Sequence, residues 1–326
     1  MITVLLLDFG GPETLDDVQP FLKNLFSDKA IMPVPVGQEI FAHIMAKFRA
    51  PKIAKHYEAI GGGSPLPRQS RDIAAELEKG LRSANLDIRV FTSFRYSEPS
   101  IEKVLLQIAK TKPQGIILIP MFPHYSTATT LSVLQAFQEA YDKHRLAIPY
   151  QIVEWWFDEP QYIAGWCFSI NKALEKFDEK VRAQVPILFT AHSLPVSFVT
   201  ERKDPYPKQI KECAEKIMTA LGRNNPAYIS YQSKVGPMEW LTPATIEFVG
   251  ELGRRGEKNL VIVPISFLTD HIETLFEIER EIIPEALKAG IEKAVCCEAL
   301  YHAPFLKKTL EELVLKKMPI LLKQTS

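Results

Sequence analysis

The sequence predicts an α/β protein made of two similar Rossmann-like domains, each a parallel sheet flanked by helices, with a cleft where the strand ends of the two halves face each other. Short β-rich apolar runs alternate with helical patterns, as in parallel sheets. A chain of 326 residues is also longer than most single domains. The halves echo each other: Phe94-Arg95-Tyr96, a helix and Ile116-Ile117-Leu118-Ile119-Pro120 are matched by Tyr231-Gln232-Ser233, a helix and Val261-Ile262-Val263-Pro264.

The first domain is expected over residues 1–150, with strands near 3–9, 88–94, 115–121 and 150–156. Its opening run, Met1 to Leu7, is apolar without a basic flank. Asp8 and Gly10-Gly11 cut it short of a signal peptide or a membrane span, so it reads as a buried first strand of a protein expected in the cytoplasm. An insert over about 18–64 has no counterpart in the second half. In it Ile40, Phe41, Ile44, Met45 and Phe48 recur at helical spacing, with Lys47, Arg49, Lys52 and Lys55 off that face. Such a stripe serves either the core or, because the insert is extra to the repeat, an exposed lip over the cleft that can meet a membrane surface.

The second domain is expected over 151–305, with strands near 185–191, 227–232, 259–266 and 292–299. A final helix, Leu306–Leu322 within 306–326, should pack back on the body. One strand ends at His192, in Phe189-Thr190-Ala191-His192-Ser193-Leu194-Pro195. The next but one ends in Ser266-Phe267-Leu268-Thr269-Asp270-His271-Ile272-Glu273. Open parallel sheets bind ligands at the C-terminal ends of their strands, so an imidazole and carboxylates stand where chemistry is expected.

An imidazole binds iron well and in general titrates near neutrality, so a histidine at position 192 can act as base or as ligand. Asp270-x-x-Glu273 is a capping-box pattern, in which Glu273 only satisfies a helix N-terminus. Glu277 and Glu281 extend it at four-residue spacing, putting three carboxylates on one helical face while Leu275, Ile278, Ile282 and Ile283 serve the core. That face is either solvated or a wet channel for protons or metal.

Composition excludes other classes. Lys plus Arg and Asp plus Glu are equal at 39 each, which opposes a general nucleic-acid binder. No Gly-x-Gly-x-x-Gly opens a helix, and Gly10-Gly11 and Gly61-Gly62-Gly63 lack the Walker lysine, so a nucleotide is not expected. Cys167, Cys213, Cys296 and Cys297 lack the paired spacing of a zinc site and read as reduced thiols.

Ala191-His192-Ser193-Leu194-Pro195, Asp204-Pro205-Tyr206, Tyr231-Gln232-Ser233-Lys234-Val235-Gly236-Pro237 and Asp270-His271-Ile272-Glu273-Thr274-Leu275 resemble the signatures of the ferrochelatase family. So do Phe9-Gly10-Gly11-Pro12-Glu13-Thr14, Ile60-Gly61-Gly62-Gly63-Ser64-Pro65 and Phe94-Arg95-Tyr96, in family order from about residue 3 to about 310. The resemblance implies the chelatase fold and a lyase that inserts Fe²⁺ into protoporphyrin IX, the last step of haem synthesis, with loss of two pyrrole protons. It implies catalytic and metal-handling roles for His192 and Glu273, on one side of the macrocycle or across it, and a proton or metal channel through Asp270, His271, Glu277 and Glu281.

It further implies porphyrin contacts from Phe9, Arg49, Tyr57, Ser64, Arg95, Tyr96, Trp240 and Phe267, although the family has methionine or tyrosine where Phe9 stands. It favours the lip reading of the insert, with peripheral membrane contact at the inner face, and a monomer or weak dimer. Fe²⁺ is then substrate and no cofactor is required. Some members carry a [2Fe–2S] cluster held by a mid-chain cysteine like Cys167 and by cysteines in a C-terminal tail. The tail Leu321 to Ser326 has none, so the cluster is expected to be absent. Related readings are insertion of iron into coproporphyrin, of cobalt or iron into another tetrapyrrole, and a non-catalytic tetrapyrrole carrier.

Overall fold

Parallel strands need crossover connections, and the helices between these strands supply them. In the computed structural model, which describes residues 1–234 and 238–324, the chain forms two compact units. One is Met1–Trp155 with the C-terminal segment from Lys307; the other is Trp156–Leu306. Val235, Gly236 and Pro237 of the Tyr231-to-Pro237 motif lie outside the described residues, as do Thr325 and Ser326 of the tail.

The first unit holds β1 (Ile2–Asp8), β2 (Ile88–Phe94), β3 (Gly115–Pro120) and β4 (Tyr150–Ile152) in the order β2-β1-β3-β4, all parallel. The second holds β5 (Ile187–His192), β6 (Ala227–Gln232), β7 (Asn259–Pro264) and β8 (Lys293–Cys296) in the order β6-β5-β7-β8, again parallel. The repeat seen in sequence is thus a repeat of topology. It reaches into the turns, where Phe94 N–H donates to the Pro99 carbonyl at 2.9 Å and Tyr231 N–H to the Pro243 carbonyl at 2.9 Å.

Central strands covered on both faces must be apolar throughout, and β1 is buried at every position. Leu5, Leu7, Ile116 and Leu118 pack against Val104, Leu105, Ile108, Val133 and Phe137 from flanking helices. In the second unit Leu188, Leu260 and Ile262 meet Val249, Leu252, Ile278 and Ile282. Each such side chain contributes about 1.5–3 kcal/mol of burial free energy.

The structure departs from the sequence reading at two strands. β4 stops at Ile152 rather than 156, and β8 at Cys296 rather than 299. Trp156 is nonetheless fully buried, so the apolar run recorded burial rather than pairing. The final helix, Phe305–Gln324, lies mostly in the first unit. There a methyl group on Gly115 would meet Leu321 at 2.7 Å, so the glycine permits the close approach.

The insert is two helices, Val18–Ser27 and Gln38–Ala59, packed against each other. Its apolar stripe does not enter the core: Ile40, Ile44 and Phe48 are 69%, 58% and 82% exposed, while Phe41 and Met45 are half-buried. The buried face carries Ala42, Ala46, Ala50 and Tyr57 instead. Small alanines let the two backbones approach closely, which turns the larger side chains outward.

Gly10, just past β1, has φ +79°, and a Cβ there would stand 2.0 Å from Ser97 Oγ and 2.8 Å from Phe94 Cβ. Gly10→Ala should therefore lower stability by about 1–3 kcal/mol, read as a fall in the urea midpoint. A variant as stable as the parent would mean that the turn relaxes freely.

Candidate functional site

In the second unit the ends of β5, β6 and β7 present a connected set of polar groups. His192 ends β5; its backbone N–H donates to Ser266 Oγ at 3.1 Å. Its Nδ1 lies 2.8 Å from the Ser193 carbonyl, which only accepts, so Nδ1 donates there and Nε2 is the ring nitrogen left to exchange a proton. Ser193 N–H donates to the Gln232 carbonyl at 2.8 Å, which fixes the backbone that orients the ring.

The segment after β7 leads into a helix of unexpected type. Residues Glu273–Ile282 form a π-helix, ten residues long, where such helices are usually single turns and frequently mark functional sites. Residues four apart still share a face on its wider turn, so Thr274, Ile278 and Ile282 are buried together. Leu275, expected in the core, is only half-buried and outside the core cluster, whereas Ile283 packs against it.

Glu273 does not close a capping box. Ile272, at the N-cap, is already in helical conformation and makes no side-chain cap bond. Thr274 Oγ1 accepts the His271 N–H at 3.0 Å, and the Glu273 carboxylate instead takes the His271 Nδ1–H at 2.6 Å. The Phe267 ring stands edge-on to His271, with centroids 4.4 Å apart. Asp270 pairs with His302 Nε2 at 2.7 Å.

The two carboxylates nearest His192 are driven apart. Burial would raise the Glu273 carboxyl, but the charge and hydrogen bond of His271, with His192 nearby, hold it down to about 2. Glu277 is raised, by burial and by the negative charge of Glu273, although three donors serve it: Ser233 N–H at 2.8 Å, Gln232 Nε2 at 3.1 Å and the Ser233 hydroxyl. One carboxylate is thus always ionised and its neighbour is inclined to keep a proton, the division of labour that acid–base sites use. Glu281 is exposed and outside this network, so the ladder of three expected equivalents is two half-buried groups and one solvated one.

Sequence reasoning quoted Gln232 and Ser233 without giving them a role. Ser233 has φ +69°, uncommon for a residue with a side chain, and that geometry aims both its N–H and its hydroxyl at Glu277. The remaining expected wall of this unit, Trp240, is half-buried and bridges Pro195; its indole N–H is buried with no acceptor among the described residues.

The first unit brings together three of the expected residues. Phe9 lies 4.9 Å from Tyr96 and 4.8 Å from Phe122, ring to ring, and the Arg95 guanidinium lies 5.6 Å from the Tyr96 ring. Ser64 is buried at a tight crossing, its N–H on the Pro12 carbonyl at 2.7 Å. Tyr57 is buried in the insert, and Arg49 is half-buried over Phe26 at 6.0 Å. These last three are not part of the Phe9–Arg95–Tyr96 cluster.

No group of three or more His, Cys, Asp or Glu among the described residues is placed to hold a metal ion. The thiols are poor ligands as they stand: burial raises the pKa of Cys167, Cys213, Cys296 and Cys297, and Cys167 donates to the Ile217 carbonyl at 3.6 Å.

Residues 1–318 match the family model described as Ferrochelatase. The chain belongs to the ferrochelatase family. It is 39% identical over 317 residues to the ferrochelatase of Picosynechococcus, covering 96% of this chain and 82% of that protein. It is also 39% identical to Ferrochelatase-1, chloroplastic/mitochondrial, of Arabidopsis thaliana, covering 98% and 70%. Among solved structures it resembles SirB from Bacillus subtilis with Fe³⁺ (TM-score 0.58, 11% identity, 97% and 94% covered) and the siroheme-pathway enzyme CbiX (TM-score 0.54, 12% identity, 96% and 98% covered). At that identity the likeness concerns the fold, and it agrees with the chelatase architecture of two four-stranded parallel sheets flanked by helices.

Because Glu273 is depressed in the folded chain from 4.5 to about 2, its contribution to stability is full above pH 4.5 and is lost as pH falls towards 2. Glu273→Gln should therefore flatten the pH dependence of the urea midpoint between about pH 2 and 4.5 relative to wild type. Parallel curves would mean that His271 does not hold the carboxylate ionised.

Proposed function

We propose that the chain inserts Fe²⁺ into protoporphyrin IX to form haem, the closing step of haem synthesis, with His192 and Glu273 as the reacting groups. The reaction replaces two pyrrole N–H protons by one ferrous ion, so it needs a proton acceptor near neutrality and a place for positive charge. The observation that carries the assignment of roles is the His192 imidazole, anchored through Nδ1 so that Nε2 is the nitrogen left to exchange a proton, within electrostatic reach of Glu273, whose carboxyl is held down, and of Glu277, whose carboxyl is raised.

In this reading Nε2 accepts the two pyrrole protons in turn, each imidazolium being stabilised by Glu273 and relieved by transfer of its proton to the Glu277 carboxylate before the next is taken. Glu277 passes the proton outward, towards Glu281 at the solvated end of the helix. Fe²⁺, as substrate, is drawn by the fixed charge of Glu273. Phe9, Tyr96, Trp240 and Phe267 supply apolar and aromatic surface, and Arg95 and Arg49 cations for the porphyrin carboxylates. A non-catalytic carrier would need the apolar surfaces but not the buried carboxylates, whose desolvation is costly. No redox cofactor enters the scheme.

No helix among the described residues is long and apolar enough to cross a membrane. The insert nevertheless exposes Val36, Ile40, Ile44 and Phe48, with Lys47, Lys52 and Lys55 exposed beside them. Apolar residues flanked by lysines suit a shallow seat in an anionic lipid surface, and we assign the insert that role.

His192→Ala should lower kcat at least about a hundredfold, the usual worth of a positioned base, while protoporphyrin still quenches tryptophan fluorescence with a similar Kd. Wild-type turnover would remove His192 from the mechanism. Phe48→Asp should lower co-sedimentation with anionic vesicles at least about fivefold, as one deeply inserted ring is lost from a weak interfacial anchor. Unchanged partition would mean that the stripe serves another surface.

A further inference from the structure

Arg95 is held by groups that sequence reasoning did not single out. Its Nε donates to Ser132 Oγ at 3.2 Å, and its Nη2 lies 3.3 Å from Asp28 Oδ2. Asp28 is buried, 7% exposed, at the end of the insert helix Val18–Ser27. The same Oδ2 accepts the Tyr96 hydroxyl at 2.7 Å and the Ser132 hydroxyl, while Oδ1 accepts the Ala30 N–H at 2.8 Å. Asn24, one turn earlier on that helix, donates through Nδ2 to the Tyr96 carbonyl at 3.0 Å.

Three consequences follow from this arrangement. A buried carboxylate with four donors is rigid, because rotation would strip hydrogen bonds from a desolvated charge. The guanidinium it grips is engaged on Nε and Nη2, and no described residue accepts from Nη1, so one edge of the fork is left at a site 26% exposed. The carboxylate comes from the insert, whereas Arg95 and Tyr96 follow β2 and Ser132 lies in the helix Thr130–Lys143.

We propose that Asp28 is a positioning residue for substrate: through Ser132 and its own charge it fixes the Arg95 fork so that Nη1 meets a porphyrin carboxylate, and it ties the fold of the insert to that contact. The inference rests on the reading of Arg95 as a carboxylate-binding group. Asp28 itself touches no substrate in this account. Its loss should therefore weaken recognition of the carboxylates and leave the metal-insertion step in place.

The test is steady-state kinetics of metal insertion with protoporphyrin and with its dimethyl ester, on wild type, Asp28→Asn, Arg95→Ala and the double variant. With protoporphyrin, Asp28→Asn is expected to raise KM about tenfold, the worth of one charge-assisted contact, with kcat within about twofold of wild type. In the Arg95→Ala background it should add less than about twofold, because the two act as one unit. On the ester, Asp28→Asn should raise KM less than about twofold.

An Arg95→Ala effect without an Asp28→Asn effect on KM would overturn the inference alone and leave Arg95 as the carboxylate contact. Effects that multiply in the double variant, or an equal penalty on the ester, would also overturn it. An unchanged KM in Arg95→Ala would overturn both readings. If Asp28→Asn yields no folded protein, Ser132→Ala removes the bridging hydroxyl alone and should raise KM for protoporphyrin about threefold; no rise would overturn the inference.

Discussion

Burying a carboxylate is expensive unless the surroundings compensate it, and two of them stand four residues apart on the π-helix Glu273–Ile282. Most of the local structure can be understood as that compensation. His271 pairs with Glu273, while Ser233, in a left-handed conformation, and Gln232 turn three donors on Glu277. The strand ends supply these partners because a parallel sheet delivers His192, Gln232 and the loop after β7 to one edge. The result is an asymmetric pair, one carboxylate ionised to low pH and the other inclined to hold a proton, beside an imidazole whose Nε2 is left to exchange a proton.

The same compensation recurs in the first unit with the signs exchanged. There the half-buried group is a cation, Arg95, and the buried carboxylate of Asp28 supplies the opposing charge. Both units thus use a buried, multiply bonded carboxylate next to the C-terminal end of a strand. The duplicated topology explains why comparable places are available in each half. What has diverged is the insert, which only the first unit carries and which contributes Asp28.

The fold was largely legible because its signal is strong: eight apolar runs separated by helical patterns leave little choice of architecture. Strand ends were less legible. In Tyr150 to Trp156 only the first three residues pair with β3, while Val153 and Trp156 are buried without belonging to the strand. The stripe of the insert was compatible with two readings, core or exposed lip. It has the periodicity of a core-facing helix, yet alanines take the inside and Ile40, Ile44 and Phe48 the outside. Composition of a face says that it needs covering, and leaves open what covers it.

At the site, residue types were legible and partnerships were not. His192 and Glu273 could be picked out from their positions, but the capping pattern Asp270-x-x-Glu273 suggested a bond that a π-helix starting at Glu273 does not make. Four-residue spacing likewise suggested three equivalent carboxylates, while the structure half-buries Glu277 and leaves Glu281 in solvent. Ser233 and Asp28 were invisible as partners, since nothing local distinguishes a serine that bonds a distant glutamate from one that bonds water. The central claim remains chemical, and its most direct measurement is the absorption spectrum of protoporphyrin IX mixed anaerobically with Fe²⁺ and catalytic amounts of the protein. The account predicts replacement of the free-base bands by those of haem, at a rate proportional to enzyme and well above the protein-free control; a rate equal to that control would contradict it.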